Sequence, residues 1–244
     1  MIAGTADPGA IAGGCPRLEA FGTEPVVLEA VETLQVVCEV ASAAVEARLP
    51  PALHPTIPGI LSWLVQRVPD SPWGPFALAQ TRIECRSGVR PRAFLTAAVV
   101  DNDQALAALA TGWGYRLRRG VVRLRRHYDV IEARVGKDGD PELELALRDP
   151  EPLEADYVQY VANMNLAETP AGLRLIQIDP DYASVRSERG TPEVRAFDAE
   201  AWSVAGLEPA YPVSASLTVG TVTLPALRFV CRPDVWAFEG TERV

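Results

Sequence analysis

The stretch from Ala93 to Arg118 reads AFLTAAVVDNDQALAALATGWGYRLR. Ala93 to Val100 is an apolar run of strand length, with β-branched residues at its end. Asp101-Asn102-Asp103 is a turn whose side chains can also cap a helix. Gln104 to Thr111 is rich in Ala and Leu, which favour a short helix, and Gly112-Trp113-Gly114-Tyr115 breaks it. Arg116-Leu117-Arg118 then opens a basic, alternating segment.

Outward from this unit the pattern is mostly strand-like. Leu34 to Val40 is β-compatible, Ser42 caps a short helix from Ala43 to Arg48, and Pro50-Pro51 stops it. Ile57 to Val68 is a strand entered through Pro58-Gly59, and Phe76 to Arg86 alternates with period two. Strands are expected at Val121 to Tyr128, Val130 to Val135 and Leu143 to Leu147, with Lys137 to Asp140 as the last tight connection. Pro150 to Glu154 reads as a loop. Short strands follow at Gly172 to Ile178, Tyr182 to Glu188, Pro192 to Phe197, Tyr211 to Leu217, Val219 to Leu224 and Leu227 to Cys231. Residues 1–24, rich in Gly, Ala and Pro, are expected to form a flexible arm, and residues 25–244 one domain. The fold class expected is α+β and β-rich, with a few short helices.

Composition narrows the chemistry. The chain has 244 residues, 48% hydrophobic and 23% charged, which excludes a disordered tail or a small disulfide scaffold. The net charge of −9 opposes nucleic-acid binding, despite the arginines between Arg116 and Arg126. No apolar run reaches membrane-helix length. Residues 1–14 have no basic or apolar leader pattern, so a cytoplasmic location is expected. Lys137 is the sole lysine, so it is the one candidate for imine chemistry. The four cysteines lack CxxC spacing, and His54 and His127 are the only histidines. No metal and no cofactor are expected, since HExxH, GxSxG, a phosphate loop and a complete GxGxxG are all absent.

Several anchors resemble the acetoacetate decarboxylase family. Trp73-Gly74-Pro75-Phe76 leads into a strand; a second strand ends in Asp101-Asn102; a short helix leads to Tyr115-Arg116-Leu117-Arg118, where the family has aromatic-Pro-Lys-Lys. Leu49 to Leu53, Leu207 to Ser216 and Thr221 to Pro225 are similar to the family's early and closing runs. The resemblance covers Thr33 to Cys231 and implies an antiparallel β-barrel or cone, and a homo-oligomer. It also places Leu117 at the position of the lysine that forms a Schiff base with a β-keto acid, and Arg118 at the adjacent lysine. Ungapped counting puts the family's two pocket glutamates on Trp63 and Leu78, and its substrate-orienting arginine on Glu39. Leucine offers no nucleophile and a guanidinium stays protonated, so decarboxylation through an imine is not expected.

The replacements exchange charge for bulk. With Trp113 and Tyr115 beside Trp63, Leu78 and Leu117, they suggest an apolar pocket for a bulky small molecule. Polar contacts in it would come from Gln66, Gln80 and Arg82. The catalytic candidates are Glu39 as acid or base, and Arg116 and Arg118 as anion or carbonyl partners. The function expected is an enzyme of specialised, polyketide-like biosynthesis that promotes cyclisation, elimination or isomerisation without a Schiff base. The alternatives are a carrier of an apolar small molecule and an acid/base lyase using Glu39 or His127.

Overall fold

The computed structural model describes residues 2–137, 139–154 and 157–244. Fifteen strands form one sheet. The first half comprises β1 (Val26–Val40), β2 (Leu53–Pro55), β3 (Gly59–Val68), β4 (Phe76–Ser87), β5 (Arg90–Val100), β6 (Leu117–Arg119) and β7 (Val122–Arg126). The second comprises β8 (Val130–Lys137), β9 (Asp140–Leu153), β10 (Ala162–Thr169), β11 (Gly172–Ile178), β12 (Asp181–Phe197), β13 (Tyr211–Leu224), β14 (Phe229–Cys231) and β15 (Thr241–Arg243). The helices are short: α1 (Pro8–Ile11), α2 (Ser42–Glu46), α3 (Asp103–Trp113) and α4 (Ala237–Gly240).

The sheet runs β15-β14-β11-β10-β5-β4-β3-β1-β13-β12-β9-β8-β7, with β2 on β4 and β6 on β5. This corrects the expected antiparallel barrel: the sheet is mixed, and its path does not close on itself. β10 and β6 both pair in parallel with β5, β10 along Arg92 to Leu95 and β6 along Ala98 to Val100. The reason lies in the connection. A helix between β5 and β6 carries the chain back to run alongside its own strand, as a parallel pair requires. The neighbouring half of the same edge then accepts β10.

The opening stretch of sequence does what its residues dictate. Asn102 caps α3, its Oδ1 accepting from the N–H groups of Gln104 at 2.8 Å and Ala105 at 3.0 Å. Its amide donates to the carbonyls of Trp73 and Pro75, and Asp101 Oδ1 accepts from Ala77 N at 2.6 Å. The Asp-Asn turn thus ties the Trp-Gly-Pro-Phe segment to β5. α3 runs two residues past the expected end, because Gly112 and Trp113 remain helical. It stops at Gly114, whose φ of 68° is left-handed and costs glycine nothing.

Other boundaries shift for physical reasons. Ser42 is not the cap of α2; that place belongs to Ala41, and Ser42 Oγ instead accepts from Gly59 N at 3.0 Å. Residues 150–153, expected as a loop, are the end of β9, because β12 is long enough to pair with them through Ser187, Glu188 and Arg189. The paired short strands expected at 182–197 and 211–224 are single long strands with bulges. β10 had no counterpart in the reading of the sequence. The expected turn from Lys137 to Asp140 includes Asp138, which lies outside the described residues. Residues 2–24 run along the body: Leu18 is buried, Leu18 N donates to Glu168 O at 2.8 Å, and Gly4 N donates to Leu53 O at 2.8 Å.

Side chains from the two faces of the central strands build two cores. One holds Leu34, Val36, Cys38, Trp63, Val65, Ala79, Val99, Leu145 and Trp202. The other holds Val31, Val68, Phe76, Leu78, Leu95, Ala98, Trp113, Tyr115 and Ile176. Strand alternation assigns each residue to one of them. No helix among the described residues is long and apolar enough to cross a membrane.

A buried carboxylate on β12, paired with two exposed arginines, gives an acid-side prediction. Glu188 is buried and takes Arg126 through two hydrogen bonds, 2.5 and 2.7 Å, and Arg186 at 3.0 Å. Hydrogen bonding to Arg126 holds its carboxyl below the usual range, with Arg186 acting in the same direction. A depressed folded pKa adds stability above the unfolded carboxylate pKa of ~4.3, and that part is lost as pH falls through the folded value. Melting temperatures across pH should therefore show wild type ahead of Glu188→Gln at neutral pH, with the gap narrowing below about pH 4.

Candidate functional site

The second face carries, at one end, a group of buried polar side chains. Arg82 on β4 is 1% exposed. Its Nη1 donates to Asn163 Oδ1 at 3.1 Å, and Asn163 Nδ2 donates to Gln80 Oε1 at 2.8 Å. Its Nε and Nη2 are buried with no hydrogen-bond partner among the described residues. Glu84 lies 3.9 Å from Nη2 and is itself engaged by Ser62 Oγ at 2.7 Å. Gln66 Nε2 donates to Thr33 Oγ1 at 3.2 Å across β1 and β3. Tyr160 and Thr218 share a 2.7 Å hydrogen bond, and the Tyr160 and Tyr182 rings stack at 4.1 Å.

The register explains why these groups meet. Gln66 pairs with Leu78, Gln80 with Ala98, and Arg82 with Leu95. On a pleated sheet such alternate positions share one face. Leu117 pairs with Ala98 and so faces the same side as Gln80, packed against the second core. Asn165 Nδ2 donates to Trp113 O at 3.0 Å, which joins β10 to the end of α3 and brings Asn163 beside Tyr115. Trp113 is fixed in turn by its indole N–H on Pro225 O at 2.8 Å.

Three phenols surround Arg82. Burial pushes the Tyr115 hydroxyl up, and nearby Tyr182 adds to this, while Arg82 and a hydrogen bond with Asn163 act the other way. Burial also raises Tyr160, opposed by its bond to Thr218, and takes Tyr182 up to about 12, opposed by Arg82. All three therefore remain protonated donors at neutral pH. A buried cation with two unspent donor nitrogens, set among neutral O–H and amide donors, is chemically an anion receiver. It suits a carboxylate, an enolate or a carbonyl oxygen that gains charge during reaction.

The residues expected from sequence divide between the two faces. Gln66, Leu78, Gln80, Arg82, Trp113, Tyr115 and Leu117 come together on the second one. Trp63 does not: it lies in the first core, 0% exposed, edge-on to Phe197 at 5.0 Å. Arg116 turns to the N-terminal segment, donating to Gly13 O at 2.5 Å and Ile11 O at 3.5 Å. Arg118 pairs with Glu142 and lies over the Trp202 ring at 5.7 Å. Glu39 is half-buried near the end of β1, paired with Ile60 and Tyr211, and its side chain has no hydrogen bond or ion pair among the described residues. It stands two strands away from Glu84, on the order of 10 Å. His127, half-exposed on the far side of the sheet, pairs with Glu132 at 3.5 Å. Lys137 is exposed at the end of β8.

Asn163, Asn165, Tyr160, Tyr182, Thr33 and Thr218 were not foreseen. Asn163 and Asn165 alternate with Met164 and Leu166, a pattern that reads as an ordinary strand with one wet face. Only the parallel docking of β10 on β5 turns that polar side inward. No group of three or more His, Cys, Asp or Glu among the described residues is placed to hold a metal.

The family model for acetoacetate decarboxylase matches residues 16–232. Among solved structures, an acetoacetate decarboxylase from Legionella pneumophila aligns with a TM-score of 0.72 at 17% identity, covering 87% of this chain and 90% of that one. The enduracididine biosynthesis enzyme MppR complexed with pyruvate aligns with a TM-score of 0.69 at 17% identity, covering 84% and 90%. An acetoacetate decarboxylase-like enzyme from Sphingomonas wittichii RW1 gives 0.69 at 15% identity, covering 84% and 92%. At such identities the likeness is one of fold. No curated protein sequence matches the chain.

Proposed function

The chain belongs to the acetoacetate decarboxylase family, and we propose that Leu117 stands at that family's lysine position and that the protein is an enzyme of specialised small-molecule biosynthesis that works without a Schiff base. Its substrate combines an apolar body with a carboxylate or enolisable carbonyl. The reaction is a cyclisation, elimination or isomerisation that passes through an enolate-like state. The observation that carries this reading is Arg82, buried, charged and holding two donor nitrogens with no hydrogen-bond partner among the described residues.

The roles follow from the geometry. Arg82 stabilises the developing oxyanion, and Asn163 fixes the guanidinium through its 3.1 Å bond. Gln80, tied to Asn163, keeps that amide from rotating. Glu84, the carboxylate 3.9 Å from Arg82 Nη2, takes the α-proton, and Tyr115, protonated and beside Asn163, is the candidate proton donor to the enolate carbon or a leaving oxygen. Leu117, Leu78, Leu95 and Ala98 supply the apolar wall and exclude water. Orientation of a folded substrate against that wall contributes the rest of the barrier lowering.

The test uses proton exchange, which needs no knowledge of the final product. Wild-type protein is incubated in D2O with acetylacetone, ethyl acetoacetate, pyruvate and acetoacetate, and deuterium at the α-carbon is followed by NMR. Accelerated exchange with at least one of them is expected, without a borohydride-trapped adduct in the mass spectrum. A reduced adduct on Lys137, or no acceleration across the panel, would overturn the reading. As a positive control for position, Leu117→Lys should become trappable with pyruvate, since a desolvated amine near Arg82 has a lowered pKa.

A further inference from the structure

A cleft of about 710 Å³ opens at the β14 side of the sheet, lined by residues that take no part in the Arg82 cluster. Its volume is that of a small-molecule site. The start of β5 supplies Arg90 and Arg92, and the approach to β14 supplies Arg228. In this protein 32 acidic residues outnumber 23 basic ones, and most arginines find carboxylates; Arg195 alone touches Glu132, Glu144 and Glu193. The three cleft arginines form no ion pair among the described residues. Arg92 is the most exacting case: 7% exposed, its Nη1 bonded only to the neighbouring Pro91 carbonyl at 2.8 Å and its Nε without a partner. Burial holds its guanidinium below the usual arginine range, with Asp179 the main charge opposing this. Leaving such a cation unpaired is costly unless an anion meets it.

The remaining lining sets the ligand class. Asp179 and Asp181 stand against the three arginines, which leaves one net positive charge in the cleft and favours a monoanion over a dianion. Val89, Phe229 and Phe238 are exposed at 77%, 39% and 70% and offer an apolar wall. Gly88, at φ +58°, makes room for it: a Cβ there would stand 3.1 Å from Phe238 Cζ. We infer that this cleft is a second binding site, one that takes a small organic monoanion with an aromatic or aliphatic body. The carboxylate or sulfonate sits on Arg90, Arg92 and Arg228, and the body lies on Phe229 and Phe238.

The full-length protein is titrated with 8-anilinonaphthalene-1-sulfonate by fluorescence and calorimetry. One saturable site is expected, weakened at least tenfold in Arg90→Gln/Arg228→Gln and, independently, in Phe238→Ala; all three positions are exposed, so the fold tolerates the changes. N-phenyl-1-naphthylamine, the same rings without the charge, should bind at least tenfold more weakly. 1-Naphthoate should displace the probe and inorganic phosphate should not. Leu117→Ala, on the Arg82 face, should leave the affinity as it is, which separates this site from the proposed catalytic one. Absence of saturable binding, equal affinity in the double variant or for the uncharged probe, displacement by phosphate, or loss of binding in Leu117→Ala would each overturn the inference.

Discussion

Arg82→Gln should slow the α-proton exchange by about 10²–10³-fold, the usual cost of removing one preorganised donor from a developing oxyanion. The effect is electrostatic. Among the described residues the guanidinium is the one positive charge in the buried groups of its face, and water does not screen it. Glutamine keeps a hydrogen bond to Asn163 within reach but supplies no charge, so ground-state binding of an apolar body survives while the enolate loses its counter-charge. The loss should therefore fall on kcat more than on KM. Lysine in place of Arg82 should recover part of the rate, whereas a purely structural role for Arg82 would show no such rescue. Equal activity of wild type and Arg82→Gln on every substrate that exchanges would remove Arg82 from the mechanism.

Trp63→Ala is the second large effect, and it should appear in stability rather than in turnover. The indole is fully buried in the first core, on the opposite side of β3 from Gln66, with Phe197 edge-on at 5.0 Å. Its removal leaves a cavity that the surrounding strands cannot collapse into, for a cost of about 3–5 kcal/mol. The buried indole N–H has no hydrogen-bond partner among the described residues, which places the cost toward the lower end of that range. Urea denaturation should show a lower midpoint with an unchanged slope. Exchange per folded molecule should stay within about twofold of wild type, because the sheet backbone separates the two cores. A collapse in activity at unchanged stability would instead return Trp63 to the substrate pocket.

Much of the local architecture follows from the residues themselves. Asn102 caps α3, Gly114 ends it, and the period-two alternation of Phe76 to Arg86 places Leu78, Gln80 and Arg82 on one face whatever they pack against. That Lys137 is the sole lysine is likewise a fact of sequence. These are short-range properties: a cap needs a side chain two or three residues from its N–H groups, and a pleat needs only the next residue.

The tertiary structure decided which residues share a buried face. Ungapped counting put Trp63 beside Leu78, but register pairs Trp63 with Thr81 and sends it to the other core. Arg116 and Arg118, neighbours of Leu117 in sequence, point away from it to Gly13 and Glu142. Asn163 reaches Arg82 from 81 residues away, because the edge of β5 left free beyond β6 pairs with β10. Nothing local in Ala162 to Thr169 encodes that choice. Backbone N–H and C=O groups of an open edge accept any strand that arrives with the right length and face. Alternation alone states which residues share a side, and only the global register states which side is buried.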